Sequence, residues 1–147
     1  MQAKDDASVE QSQPTQSTSG NGSRPRVLVV DDDVSLSRLV RAILRTADYE
    51  VAQAYNGIEA LEVAGREHPD VIVLDLQMPQ LDGRGFFREL RARGDHTPVL
   101  VSSSFGARTA QRELGAEASI EKPFDPDALV DAVTRLFQAS RADSQHI

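Results

Sequence analysis

The sequence has no cysteine, which excludes disulfides and thiolate metal sites. It has no apolar run approaching the ~20 residues that span a membrane as a helix. Its N-terminus lacks an apolar h-region, so no signal peptide is expected. A surplus of basic charge is missing too: 16 Lys and Arg against 23 Asp and Glu leave a formal net charge of −7. Surfaces for duplex nucleic acid are basic, so direct nucleic-acid binding is not expected. A cytoplasmic protein without membrane contact fits these absences. Lysine itself is scarce: Lys4 and Lys122 are the two lysines, and the other residues of the Lys and Arg count are arginine. Lysine offers a compact ammonium where arginine offers a broad planar fork. A lone lysine inside the folded part of an arginine-using chain is therefore a candidate functional group.

The apolar content of 39% is low for 147 residues, and the deficit sits mostly at the N-terminus. Residues 1–24 read as a disordered polar tail rich in Gln, Ser and Thr. Residues 25–138 are long enough for one domain with its own core. Residues 139–147 read as a polar, frayed C-terminal tail.

Between the tails, apolar runs alternate with amphipathic stretches. Arg26-Val27-Leu28-Val29-Val30 reads as a buried strand and ends in Asp31-Asp32-Asp33. Leu36, Leu39, Val40, Ile43 and Leu44 fall at helical spacing over 34–46, with Asp33 placed as N-cap. Glu50–Ala54 is a weaker strand. Asn56-Gly57-Ile58-Glu59 reads as a capped helix start, running to about Glu67 before Pro69. Val71-Ile72-Val73-Leu74 is the strongest buried strand and runs into Asp75, and Pro79 ends any regular ladder there. A helix carrying Phe86, Phe87 and Leu90 follows, then a strand over 98–104 ending in hydroxyls. A short helix over Ala107–Leu114 closes at Gly115. Ala118–Glu121 is the last strand, and Asp125-Pro126 opens the last helix.

Five βα units with short connections imply a parallel sheet with helices on both faces. All strand ends then lie on one edge, where open α/β sheets keep their sites. Asp31, Asp32, Asp75, Ser103 and Lys122 converge there although they are far apart in sequence. Carboxylates gathered in one pocket repel unless a cation sits among them. A hard divalent ion such as magnesium suits carboxylate, water and phosphate oxygens. A carboxylate can also attack a phosphoryl group to form an acyl phosphate. Phosphoryl transfer needs positioning and charge stabilisation above all. No histidine stands at a strand end, so the phosphodonor would be another molecule.

Val29-Val30-Asp31-Asp32, Leu74-Asp75-Leu76-Gln77-Met78-Pro79 through Gly83, Pro98 through Ser104, Gly115-Ala116 and Lys122-Pro123-Phe124 together resemble the receiver domain of bacterial two-component response regulators. The resemblance covers about residues 25–138. It implies a flavodoxin-like, doubly wound, five-stranded parallel sheet of order 2-1-3-4-5. It implies that Asp75 accepts a phosphoryl group from a histidine kinase or histidine phosphotransfer protein. Asp32, Asp75 and the Gln77 carbonyl would bind Mg2+, with Asp31 acting through a metal-bound water. Ser103 would bond a phosphoryl oxygen, and Lys122 would pair with the phosphoaspartate. Such a protein is no enzyme beyond its own phosphorylation and dephosphorylation. The expected form is a stand-alone regulator that signals by contact through helix 4, strand 5 and helix 5. Val130 and Thr134 lie on that last helix, which also needs core contacts, so each is read as structural before interfacial.

Three features depart from the family pattern. Ser119 stands where the family often has an aromatic. The segment from Ser103 to Gly115 is shorter by about one helical turn. Phe105 lies two residues after Ser103, where its ring could shield an acyl phosphate from water or pack the helix start. Two other classes compete. Asp31-Asp32-Asp33-Val34-Ser35 contains the Asp-x-Asp of haloacid-dehalogenase phosphatases, with Asp31 as nucleophile. A pseudo-receiver would never take phosphate and would act as an interaction module.

Overall fold

The computed structural model describes residues 24–78 and 81–145, with side chains described as far as Ala142. Most of the expected polar leader, together with Pro79 and Gln80, lies outside the described residues. The chain alternates without exception: β1 (Arg26–Val30), α1 (Val34–Thr46), β2 (Glu50–Ala54), α2 (Gly57–Glu67), β3 (Val71–Asp75), α3 (Gly83–Ala92), β4 (Val99–Ser103), α4 (Ala107–Leu114), β5 (Ala118–Glu121) and α5 (Pro126–Gln145).

The strands form one sheet in the order β2-β1-β3-β4-β5, and every pair is parallel. This is the expected 2-1-3-4-5 order. β3 lies at the centre and is buried along its whole length. Its unbroken apolar run follows from that position, since helices cover both faces of the sheet.

Side chains alternate between the two faces with the strand period of two. Leu28, Val30, Ile72, Leu74 and Val101 point to the layer of α2, α3 and α4, where they meet Phe86, Phe87 and Leu90. Val27, Val29, Val71, Val73 and Leu100 point to α1 and α5, where they meet Val40, Leu44, Leu129 and Val133. Each such side chain, fully buried, contributes about 1.5–3 kcal/mol.

Local chemistry sets the helix starts. Asp33 Oδ1 accepts the Leu36 N–H at 3.0 Å. Asn56 Oδ1 accepts the Glu59 N–H at 2.8 Å, while the Glu59 carboxylate accepts the Tyr55 N–H, one residue before the cap. Asp82 Oδ1 accepts the Gly85 N–H at 2.8 Å. Each cap satisfies an amide that the helix itself leaves unpaired.

Two readings change. α5 does not end near Gln138 but continues to Gln145. Its last turns lack an apolar stripe, yet Arg, Ala and Gln favour helix, and the Arg141 guanidinium lies 5.6 Å from the Phe137 ring centroid one turn earlier. Leu39 is not a core residue: it is 55% exposed. On α5, Val130 packs against the core, and the Thr134 hydroxyl is 2.7 Å from Tyr49 OH. Both serve packing first, as expected for a helix that needs core contacts. No helix among the described residues is long and apolar enough to cross a membrane.

Candidate functional site

The strand order reverses at β1 and β3, and a crevice opens beyond their carboxyl ends. Asp31 and Asp32 leave β1 into that crevice, and Asp75 is the last residue of β3. One ligand oxygen from each of Asp31, Asp32 and Asp75 can be chosen so that all lie within 4.8 Å of one another. Asp31 and Asp75 are buried, and Asp32 faces solvent.

Lys122 arrives from the end of β5. Its backbone N–H donates to the Ser103 carbonyl at 2.9 Å, which ties the β5 end to β4. Its Nζ donates to Asp31 Oδ2 at 3.0 Å and lies 3.4 Å from Asp75 Oδ1. The single lysine of the folded part thus sits between the two buried acids.

The two acids are held differently. Both oxygens of Asp31 are engaged: Oδ1 accepts the Asp33 N–H at 2.9 Å, and Oδ2 takes Lys122. On Asp75, the Gln77 N–H at 3.2 Å and the lysine both meet Oδ1. Among the described residues Asp75 Oδ2 has no hydrogen-bond partner. Burial pushes the Asp75 carboxyl above the usual carboxylate range. The Gln77 N–H and Lys122 pull it back and the Asp31 charge pushes it up again, leaving burial the winner. Burial acts the other way on Lys122, tending to lower its pKa, but the hydrogen bond and charge of Asp31 and the charge of Asp75 outweigh it. Lys122 is held above the ordinary lysine value and stays an ammonium.

This pocket fits a hard cation. The three acids offer carboxylate oxygens, and the one ammonium lies beside two of them, Asp31 and Asp75. Burial raises the Asp75 carboxyl, and the neighbouring Asp31 charge adds to that rise. Magnesium prefers such oxygen sites and completes its shell with water and phosphate oxygens.

The loop after β3 is fixed by close approach. Gly57 N–H donates to the Leu81 carbonyl at 3.1 Å, and a Cβ at Gly57 would strike that oxygen. A Cβ at Gly83 would strike the Asp75 carbonyl oxygen and lie 2.5 Å from Leu76 Cα. Both glycines let a helix start press against the backbone that carries Asp75. Their placement beside turn residues is visible in the sequence, but the contacts they permit are not.

Ser103 is buried at the end of β4. Its hydroxyl donates to the Phe105 carbonyl at 3.0 Å and accepts the Phe105 N–H at 3.3 Å, rather than bonding to an acid. The Phe105 ring is 88% exposed, so it neither packs the start of α4 nor covers Asp75 in this conformation. Gln77 is exposed and meets Asp75 through its N–H.

Sequence reasoning also missed an apolar groove of about 420 Å³ beside Lys122, lined by Leu36, Leu39, Ile43, Pro123 and Phe124 among others. Leu39 was the available signal, since it widens the apolar stripe of α1 beyond what one buried face needs.

Strand order, helix layers and an acid–lysine pocket at the carboxyl edge define a flavodoxin-like signalling domain of the two-component type. Comparison with known proteins agrees. The family model described as "Response regulator receiver domain" matches residues 27–134. The chain belongs to that family. The chain is 38% identical over 121 residues to "Response regulator MprA" of Mycobacterium leprae (strain TN), covering 80% of this chain and 53% of that protein. It is 41% identical over 108 residues to "Probable transcriptional regulator ycf27" of Porphyridium aerugineum, covering 72% and 45%. It thus spans about half the length of the curated relatives it matches. Among solved structures, the receiver domain of the Francisella response regulator 1452 superposes with a TM-score of 0.75 at 31% identity, covering 80% of this chain and 99% of that one. Vibrio cholerae chemotaxis protein CheY4 gives 0.72 at 32%, covering 78% and 99%.

Proposed function

We propose that this domain is a phosphoacceptor: Asp75 takes a phosphoryl group from a histidine kinase or histidine phosphotransfer protein and passes the signal on by contact. The observation that carries the reading is the asymmetry of the buried acids. Asp31 has both oxygens engaged, while Asp75 keeps Oδ2 without a partner among the described residues, next to a lysine already held as an ammonium. An attacking oxygen is hindered by each donor it must first give up, and of these four buried carboxylate oxygens Asp75 Oδ2 is the one that accepts no hydrogen bond among the described residues.

In the proposed step Asp75 Oδ2 forms a bond to phosphorus as the bond from phosphorus to the donor nitrogen breaks. The electron pair leaves with the donor imidazole. Lys122 stays charged throughout, balancing the phosphoryl oxygens from the side of β5. Ser103 lies one residue beyond Ser102, the register partner of Asp75, and supplies an O–H donor to a phosphoryl oxygen. Asp32, Asp75 and the Gln77 carbonyl are the proposed Mg2+ ligands, with Asp31 reaching the ion through water. Bound there, Mg2+ would neutralise charge that develops on the transferred group. The groove beside Lys122 suits the phosphodonor, because it places apolar Leu39 and Phe124 next to the pocket the donor must reach. The proposed setting is the cytoplasm.

A stand-alone regulator would act through the face of α4, β5 and α5, with no direct contact to nucleic acid. A specific observation favours a second reading: relatives named transcriptional regulators are about twice as long as the matched region. In that reading the domain works with a DNA-binding effector.

Intact-mass measurement after incubation with acetyl phosphate and Mg2+ tests the acceptor reading. The unsubstituted chain and Asp31→Asn should gain one phosphoryl group, and Asp75→Asn should gain none. A gain that survives Asp75→Asn but not Asp31→Asn would favour the phosphatase-type nucleophile. No gain in any of them would favour the pseudo-receiver.

A further inference from the structure

The amino-terminal edge of the sheet, away from the acid pocket, carries charge of the opposite sign. α1 is 13 residues long and holds Arg38, Arg41 and Arg45 without one carboxylate, in a chain whose net charge is −7. Arg45 suits the last turn, where the helix dipole favours a cation. Arg41 lies one turn earlier on the same face, where two like charges repel.

Arg41 and Arg45 meet Arg24 and Arg26 around a cavity of about 360 Å³ at the starts of β1 and β2. Two acids also line it, Glu50 and Glu67. Arg26 takes both: its Nη2 lies 2.7 Å from Glu50 Oε1, and its Nη1 lies 2.9 Å from Glu67 Oε1. Arg24, Arg41 and Arg45 are exposed and have no acid partner among the described residues. Four guanidiniums against two carboxylates leave the cavity net positive. A recess lined by one sign of charge concentrates its field on the opposite sign.

Size and chemistry narrow the ligand. Ligand pockets run from ~300 to ~1,000 Å³, so this one takes a small molecule rather than a folded partner. Its lining is mostly polar, so the ligand is held by charge. A guanidinium fork binds two phosphoryl oxygens at once. Three unpaired forks therefore exceed what the terminal oxygens of a single phosphoryl group fill.

We infer that this cavity binds a small molecule carrying two adjacent phosphoryl groups, as free diphosphate or as the diphosphate of a nucleotide. Arg24, Arg41 and Arg45 take its oxygens. Arg26 holds Glu50 and Glu67 and so keeps them from neutralising the other three. The length of β1, ~16 Å along an extended strand, separates Arg26 from Asp31. The ligand is therefore remote from the acid pocket, and the inference stands apart from the phosphoacceptor reading.

The test titrates sodium pyrophosphate into the full chain in metal-free buffer at ~0.15 M ionic strength, where exposed charges are screened beyond ~8 Å. Binding is read by calorimetry and by backbone amide chemical shifts, and melting curves establish that each variant is folded. Saturable one-to-one binding is expected, with shifts centred on Arg24, Arg26, Arg41 and Arg45. Arg41→Gln and Arg45→Gln should each weaken it by at least ~10-fold, the loss of one charge-assisted pair. Arg38→Gln removes the same charge from the same helix outside the cavity and should leave the affinity unchanged. Tighter binding of ADP than of pyrophosphate assigns the site to a nucleotide, and equal binding assigns it to free diphosphate. Absence of binding overturns the inference. Binding that does not saturate, that sulfate matches at equal ionic strength, or that Arg38→Gln weakens as much as Arg41→Gln also overturns it, since each marks a diffuse basic surface. Displacement of pyrophosphate by duplex DNA overturns it in favour of a nucleic-acid face.

Discussion

Replacing Asp75 by asparagine should stabilise the metal-free protein and destabilise it relative to the unsubstituted chain once Mg2+ is present. Carboxylate oxygens of Asp31 and Asp32 lie within 4.8 Å of the Asp75 carboxylate. At an effective dielectric constant of ~20, unit charges at that distance repel by about 3–4 kcal/mol. Asp31 is buried and feels this fully, whereas Asp32 is exposed and is screened. Lys122, 3.4 Å away, returns about 5 kcal/mol on the same scale, though it is shared with Asp31. The pairwise terms at Asp75 nearly cancel, and the cost of burying its charge remains. Asp75→Asn removes that cost at almost constant volume, a typical trade of function against stability worth on the order of 1 kcal/mol. For a domain of this size that is a rise in Tm of ~3–5 °C. Mg2+ at 100 times its Kd adds ~2.7 kcal/mol to a protein that binds it only when folded. The order of the two proteins should therefore reverse between chelator and Mg2+. Thermal melts followed by circular dichroism read both arms. A variant that melts lower in chelator, or one that gains as much from Mg2+ as the unsubstituted chain, would refute the reasoning.

The same group sets a pH dependence. Burial raises the folded pKa of Asp75, so the folded state holds that proton more tightly than the unfolded state. The advantage is present at the acid end and is lost as pH rises from the unfolded value of ~3.9 through the raised folded value. In chelator, the stability gap between Asp75→Asn and the unsubstituted chain should widen with pH across that window, as denaturant titrations at several pH values would show; a constant gap would contradict it. Gly83→Ala should cost about 1–3 kcal/mol by pressing on the Asp75 carbonyl and should slow phosphorylation by acetyl phosphate, with melting and phosphorylation rate as the two readouts. Leu39→Asp should leave phosphorylation by acetyl phosphate unchanged but weaken transfer from a cognate kinase by at least ~10-fold, the cost of one lost interface anchor; equal loss with both donors would remove the groove from the account.

Much of the fold was legible because its signals are local and repeated. Val71–Leu74 and Val27–Val30 announce buried parallel strands, and Asp33 and Asn56 stand where the first two helices begin. The gathering of Asp31, Asp32, Asp75 and Lys122 followed from topology alone, since parallel strands put all their carboxyl ends on one edge. What escaped depends on distances that no pattern encodes. Nothing in the sequence distinguishes Asp31 from Asp75 as the acid with a free oxygen, because the difference lies in which amide and ammonium meet which oxygen. Leu39 fits a helical stripe whether it is buried or lines a groove. Phe105 was expected to pack or to shield, yet the turn closed by the Ser103 hydroxyl turns it outward. The polar end of α5 offered no apolar period, and a helix sustained by propensity and one Arg141–Phe137 contact reads as a tail.

The most direct measurement is to locate the phosphoryl group. The protein is incubated with acetyl phosphate and Mg2+, the acyl phosphate is trapped by borohydride reduction, and peptides are mapped by mass spectrometry. The account predicts a reduced residue at position 75 alone, missing when Mg2+ is chelated. Reduction at position 31 or 32 instead, or none anywhere in protein whose melting responds to Mg2+, would contradict it.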